Sequence, residues 1–466
     1  MPRSLDHRRF DVIVLGGGAS GVVAAVAAAN LGARTALVER GTAAGGELIS
    51  GLAVLGSSNS RGEWLIGGPA KGLIDRCDKL GGFVGRPFDG RTMWGACVDP
   101  EVMKLVVPEA LADAGVATYL AATATDVVAH EGSIHGLIVE GRGDPMLLTA
   151  AAFVDASGDA FVSRLAGAAF EQGAPDGTLQ PVSLTFRAGP ANYQQLLEFV
   201  RDNPQEFMLA ESDVITKSPA ECAADIYTSG LPFVCLQAEG EHTLLRTAME
   251  RGELYPTTGI YIYPTSVQRQ ELGLNTTRVV GVDPFDSAAE GSAMATLSGQ
   301  VNQVVSFLRA NVPGFANCQV SGVSGRVGIR ETRRVVGEQR LETDDVVEGR
   351  KRDDVVAKGG HHVDVHGSGR HQQRIHVKDG KSYDIPFGAL LPRHVANVMV
   401  SGRCFSSSRE ANGSARHMGS CMAMGQAAGT ATALVAQQQL TDLRELDLAH
   451  LQHVLRSEGA VLDGIA

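Results

Sequence analysis

Arg409, Glu410, Arg416 and His417 fall within one polar stretch, Ser406–Cys421, and Arg330 stands in a cluster with Arg326, Arg333 and Arg334. A planar guanidinium holds a carboxylate at two points, and a histidine or glutamate moves protons. Such a set suits a small substrate that carries a carboxylate or carbonyl. Structural roles stay open beside this one. Arg334 can instead pair with Glu331 or Glu338, His417 can be a satisfied structural histidine, and Cys421, with no neighbouring cysteine, reads better as a packed small residue than as a redox thiol. The run His361-His-Val-Asp-Val-His366, followed by His371, would put His362, Asp364 and His366 on one face of an extended segment. Three such ligands make a zinc or iron pattern, but the stretch is rich in glycine and charge, and no metal is expected.

These groups need a scaffold, and its clearest piece lies near the start of the sequence. Phe10–Leu15 is a β-branched apolar run, the pattern of a strand buried on both faces of a parallel sheet. Gly16-Gly-Gly18-Ala19-Ser20-Gly21 follows, then an alanine-rich helix to Leu31, a terminating Gly32, a second strand at Ala33–Val38 and Glu39. Gly16 permits the turn, Gly18 lets backbone approach a pyrophosphate, and Gly21 lets the helix pack closely on the sheet. The helix N-terminus presents free N–H groups to the phosphates, and Glu39 is placed to accept ribose hydroxyls. Strand, turn, helix, cap and acid all fall in register, which a chance glycine loop does not do.

The turn alone does not choose between dinucleotides. Its place at the start of the sequence, the pair Gly45-Gly46 with Glu47, and two later strand–turn segments point to FAD. Those segments are Phe153-Val-Asp-Ala-Ser157-Gly158-Asp159 and Val398-Met-Val-Ser-Gly402-Arg403, the second running on to Gly425-Gln426-Ala-Ala-Gly429. A helix is expected over Met424–Val435, its N-terminus near the flavin ring; close helix–sheet packing is the competing explanation of its glycines.

Composition bounds the rest. The 466 residues allow two domains or one with an insertion. A formal net charge of −11 disfavours nucleic acid as a main partner. Seven dispersed cysteines without a C-x-x-C pair suggest reduced thiols and argue against an iron–sulfur cluster. No secretory leader is read at Met1–Phe10, and no apolar run reaches spanning length, so no membrane and a cytoplasmic setting are expected.

Taken together, Asp11–Gly21, Glu39-Arg40, Gly45-Gly46, Val98–Lys104, Val154–Asp159, Gly328–Gly337, Ile385-Pro-Phe and Ser401–Cys404 with Gly425–Gly429 resemble the FAD-dependent oxidoreductase family of the glutathione-reductase-type superfamily. Distant relatives are the flavoproteins of fumarate reductase and succinate dehydrogenase and the flavin subunit of heterodisulfide reductases. The resemblance implies an α/β fold: a Rossmann-like FAD-binding domain with a parallel sheet, split by an inserted α+β substrate (cap) domain. Its parts would be residues 1–167, 168–381 for the cap, and 382–466 with C-terminal helices. It also implies FAD contacts at Gly16, Gly18, Ala19, Ser20, Gly21, Glu39, Arg40, Gly46, Glu47, Ala124 (on a strand over Val116–Val128), Ser157, Gly158, Asp159, Gly402, Arg403, Gly425 and Gln426. Two departures stand out. Clustered cysteines are missing, and Arg409 stands where many relatives have a histidine before the Glu-Ala pair.

The expected activity is hydride transfer between a small organic substrate and flavin N5, with Arg330, Arg409, Glu410, Arg416 and His417 as the catalytic candidates. A dehydrogenase or reductase is preferred to an oxidase or monooxygenase using dioxygen, and to a non-catalytic electron-relay subunit. The middle of the sequence has no second G-x-G-x-x-G, so a dedicated nicotinamide site is not supported. Substrate identity, electron donor or acceptor, flavin covalency and self-association are left open.

Overall fold

In a computed structural model, which describes residues 6–367 and 372–463, five short strands form a parallel sheet in the order Val398–Val400, Ala152–Asp155, Val12–Leu15, Thr35–Glu39 and Ala117–Leu120. Val14 lies opposite Val154 on one side and Leu37 on the other. All four residues of the Val12–Leu15 strand are buried, which accounts for the unbroken apolar run. The first helix is Ala19–Asn30, and Gly32 turns the chain away with φ +85°. Strands from the start, middle and end of the sequence therefore share one sheet, and the α/β expectation holds.

The small residues of the helix serve close packing. A second helix, Met418–Gln438, lies along Ala19–Asn30 so tightly that a Cβ on Gly425 would strike the Ser20 carbonyl oxygen, and one on Gly429 the Ala24 carbonyl oxygen. This helix begins six residues before the expected Met424, because Gly419 and Ser420 are helical residues packed on the Gly56–Ser57 backbone and not loop.

The middle of the chain builds a separate antiparallel sheet in the order Val234–Gln237, Gly259–Ser266, Glu271–Asn275, Phe186–Gly189 and Gln319–Val323. The 25-residue helix Ser287–Asn311, N-capped by Asp286, shares its apolar core. That core is drawn from residues 182–327, as the inserted α+β unit requires. The chain rejoins the first core at Val335, well before Ser382. Val355–Gly359 pairs antiparallel with Tyr383–Pro386, and both strands contribute to the core beneath Met418–Gln438. The expected boundary at 382 therefore falls inside a hairpin-like pair, a long-range pairing that local pattern does not reveal.

The single strand expected over Val116–Val128 is two strands, Ala117–Leu120 and Thr123–His130, in different sheets. The break is at Ala121, whose φ of 50° ends the first strand. No helix among the described residues is long and apolar enough to cross a membrane.

Backbone-to-backbone packing makes a paired prediction. Gly429→Ala should lower stability by about 1–3 kcal/mol through overpacking. Gly299→Ala, in a helix where a Cβ meets nothing within 4 Å, should raise it by about 0.5–1 kcal/mol. Thermal denaturation of the two variants beside the wild type reads both signs.

Candidate functional site

A cleft of about 310 Å³ runs from the first glycine turn to the antiparallel sheet. Its near end is lined by Gly16, Gly18, Ala19, Ser20, Glu39, Arg40, Gly46 and Glu47, then by Ser157, Gly158, Gly402 and Arg403. Gly16 adopts φ +100°, and a Cβ there would run into the Ala156 carbonyl. Gly18 differs: it is extended, and a Cβ would meet no protein atom within 4 Å. It N-caps a helix that has no side-chain cap and no acidic residue in its first turn. An open face beside uncapped N–H groups fits a pyrophosphate.

Glu39 braces this turn. Its two carboxylate oxygens accept hydrogen bonds from the Gly17 and Gly41 N–H groups, each at 2.6 Å. Ser20 and Ser401 hydroxyls are hydrogen-bonded to each other, tying the first helix to the strand–turn at Gly402. Asp159 accepts from Arg403 Nη2 at 2.5 Å; burial pushes its carboxyl up, but the guanidinium outweighs this and holds it below the ordinary value. Glu47 pairs with Arg326 of the inserted unit at 3.0 Å. Gly21 has the packing role expected of it, since a Cβ would collide with the Gly16 carbonyl.

Gly21 and Asp159 back the turns without lining the cleft, and three further expected cofactor contacts lie elsewhere. Ala124 is 2% exposed in the core with Ile134, Leu137 and Val139, because the break at Ala121 carries it into another sheet. Gly425 and Gln426 sit well inside their helix once it starts at Met418. Gly425 packs on Ser20, and the Gln426 amide donates to the Glu458 carbonyl at 3.1 Å.

The far end gathers Arg330, Arg416, His417, His361, His362, Asp364, His366, Arg91 and Tyr261. Arg416 and His417 occupy the joint between helix Arg409–Ala415 and helix Met418–Gln438, so both turn into the cleft. The polar stretch is thus mostly helical. Ser408 N-caps the first helix by accepting from the Ala411 N–H. Arg409, at its start, instead faces Glu331, which accepts from its Nε at 3.0 Å and its Nη2 at 3.2 Å. Glu331 also accepts from Arg334 at 2.9 Å and from the Gln180 N–H. Arg409 is therefore a structural ion-pair residue, and Arg334 takes the pairing with Glu331 that competed with a site role. Glu410 occupies the same helical turn and does not line the cleft. Glu338 pairs with Arg444.

Asp364 and His366 lie on the strand Val363–His366 and interact through Oδ2 and Nε2 at 3.1 Å. Burial alone would raise the Asp364 carboxyl, but His366 and Arg416, whose Nη2 is 3.6 Å from Oδ2, hold it well below the usual range. His361 Nδ1–H donates to the His362 carbonyl at 2.7 Å, and His417 Nδ1–H to the Ser414 carbonyl at 2.9 Å. These bonds fix the tautomers and leave both Nε2 atoms as acceptors. The two rings stack with centroids 3.4 Å apart. Burial drives His361 and His366 down to about 4 and His417 well below its usual value. Among the described residues no group of three or more His, Cys, Asp and Glu side chains is arranged to hold a metal ion, and His371 lies outside those residues.

Sequence reasoning passed over Arg91. Asp89 Oδ1 accepts the N–H groups of Arg91, Thr92 and Met93, a turn that the Asp-Gly pair signals. That the turn returns Arg91 to the cleft had no local sign.

The FAD dependent oxidoreductase family matches residues 11–455. The chain belongs to that family, and FAD is its cofactor. A stretch of 87 residues is 38% identical to the tRNA uridine 5-carboxymethylaminomethyl modification enzyme MnmG of Ureaplasma parvum, covering 18% of this chain and only 12% of that protein. Among solved structures, the chain is similar to flavin-dependent brominase Bmp2 (12% identity, TM-score 0.47, 97% of this chain and 83% of that one). It is also similar to a geranylgeranyl bacteriochlorophyll reductase-like protein of Thermoplasma acidophilum (12%, TM-score 0.45, 97% and 85%). A third is p-nitrophenol 4-monooxygenase PnpA of Pseudomonas putida DLL-E4 (11%, TM-score 0.45, 93% and 82%). At such identity and overlap, no property of those proteins passes to this one.

The site makes two predictions. In this flavoenzyme Gly18→Val should fold with an unchanged apoprotein Tm yet bind FAD at least about tenfold more weakly, because its side chain fills the open phosphate face; flavin fluorescence titration reads this. The second concerns pH. His361 and His366 protonate near 4 when folded and at the ordinary 6.5 when unfolded. The unfolded chain therefore binds more protons between these values, and Tm should fall as pH drops from 6.5 towards 4. His366→Gln should flatten part of that slope in a calorimetric pH series.

Proposed function

We propose that this FAD-dependent oxidoreductase acts as a dehydrogenase or reductase on a small organic substrate bearing a carboxylate, with hydride passing between a substrate carbon and flavin N5. The observation that carries this reading is Arg330. Its Nη1 donates to the Pro181 carbonyl at 2.7 Å and to the Ser183 hydroxyl, yet no carboxylate among the described residues pairs with it. Burial, with Arg416 nearby, lowers its guanidinium to about 10, so it stays charged at neutral pH. A guanidinium inside a cleft without a counter-ion suits an anionic substrate group.

The other residues then divide the work. Arg330 and Arg416 hold the carboxylate and fix the substrate's orientation. His417 Nε2, neutral because its ring is buried, accepts a proton from a substrate hydroxyl as the carbon is oxidised, or returns one in the reverse direction. Asp364 fixes His366 and Arg416 from behind. Leu52, Leu55, Phe233 and Tyr263 give the cleft an apolar wall. FAD supplies the two-electron chemistry.

Anaerobic reduction of the bound flavin by a panel of hydroxy acids, and by their amides and esters, tests the proposal. Bleaching by the acids and not by the neutral analogues is expected. Arg330→Gln should retain the flavin and raise KM for the acid by about 10- to 100-fold, the scale of a charged hydrogen bond. Rapid reoxidation in air with stoichiometric peroxide would favour an oxidase. Reduction only by a co-purifying protein would favour an electron relay.

A further inference from the structure

Arg330 also borders a second and much smaller cavity of about 10 Å³. Arg330 and His366 line both cavities, and Arg278 lines only the small one. Arg278 is 8% exposed. Its Nη2 donates to the Gly367 carbonyl at 2.5 Å, while its Nε and Nη1 are buried without a hydrogen-bond partner among the described residues. Its backbone is held firmly, since the Gln300 amide accepts from the Arg278 N–H at 2.7 Å and donates to the Arg278 carbonyl at 2.9 Å. The unpartnered guanidinium edge is thus a placed feature of the wall.

The charge balance here is unusual. Among the described residues no aspartate or glutamate lines the small cavity. The nearby carboxylate, Asp364, is already engaged by His366, Arg416 and Gln372. Neither Arg278 nor Arg330 makes an ion pair among the described residues, and the two repel each other. Two buried guanidiniums facing one void leave positive charge uncompensated, an expensive arrangement without a counter-ion. A water molecule would fill the volume but not the charge. The space is small, and a monatomic anion such as chloride supplies the missing charge in the least volume.

We propose that the small cavity between Arg278 and Arg330 is a binding site for a single halide ion, chloride under ordinary conditions. The ion is a buried counter-charge. It accepts hydrogen bonds from the free edge of Arg278 and offsets the repulsion between Arg278 and Arg330, holding Arg330 in place at the cleft wall. This site shares Arg330 with the carboxylate-substrate reading: the ion meets Arg278 and Arg330 in the small cavity, whereas substrate meets Arg330 in the cleft, and the two are tested separately.

Bromide serves as the probe, with the flavin-loaded wild-type protein and no substrate. Crystals grown in bromide should show an anomalous scattering peak between Arg278 and Arg330. Peaks at surface positions only, or none, would overturn the proposal. In solution, at constant ionic strength, chloride and bromide should raise Tm with a saturating dependence, while gluconate, too large to enter, should not. Equal effects of all three salts would mean ordinary screening and would also overturn it. Arg278→Met should abolish the halide-specific rise while keeping the flavin. If that variant does not fold, the wild-type anomalous map decides alone. Failure here with acid-specific flavin reduction intact would sink the halide site and leave the substrate reading standing.

Discussion

The Ala19–Asn30 and Met418–Gln438 helices meet backbone to backbone, Gly425 over the Ser20 carbonyl and Gly429 over the Ala24 carbonyl. The site depends on this approach. The first helix carries the uncapped N-terminus behind Gly18, and the second begins just after Arg416 and His417. Any side chain larger than a hydrogen at Gly425 or Gly429 would push the helices apart and move the Arg416–His417 end of the cleft away from the glycine turn. The Ser20–Ser401 hydrogen bond and the parallel pairing of Val398–Val400 with Ala152–Asp155 add to the same closure. Gly425 and Gly429 thus serve the site through close packing of the two helices.

Electrostatics divides the cleft into two regimes. At the near end, charges are compensated: Asp159 with Arg403, Glu47 with Arg326, and Glu39 with two backbone N–H groups. At the far end, guanidiniums outnumber carboxylates, and burial keeps the histidines neutral. A neutral imidazole with Nδ1–H committed to a carbonyl presents Nε2 as a hydrogen-bond acceptor, while an unpaired guanidinium is a ready anion anchor. The inserted unit supplies Arg330, and the returning chain supplies Arg416 and His417, so neither unit holds the far end alone.

The same logic separates structural arginines from site arginines. Arg334 and Arg409 share Glu331, which is 2% exposed, and their charges are spent on joining the inserted unit to the returning chain. Arg330 is one residue from Glu331 and faces another way. Arg330 instead donates to the Pro181 carbonyl and the Ser183 hydroxyl, on the wall of the cleft.

The first glycine turn, its helix, the acidic Glu39 and the β-branched strand were legible in sequence, because each is set by conformation within a few residues. Gly16 needs a positive φ, Gly18 needs an open face, and four buried strand residues need four apolar side chains. Arg416 and His417, singled out by their residue types, do line the cleft, although the stretch around them is helical. The rest was decided by packing across long sequence separations. Whether Gly425 meets a flavin or a helix depends on a partner about 400 residues away. Whether Arg409 reaches the cleft depends on where Glu331 falls, and Ala124 moves with one backbone angle at Ala121. Sequence determined which residues had the chemistry to act. Tertiary structure decided which of them line the cleft and which are spent on ion pairs outside it.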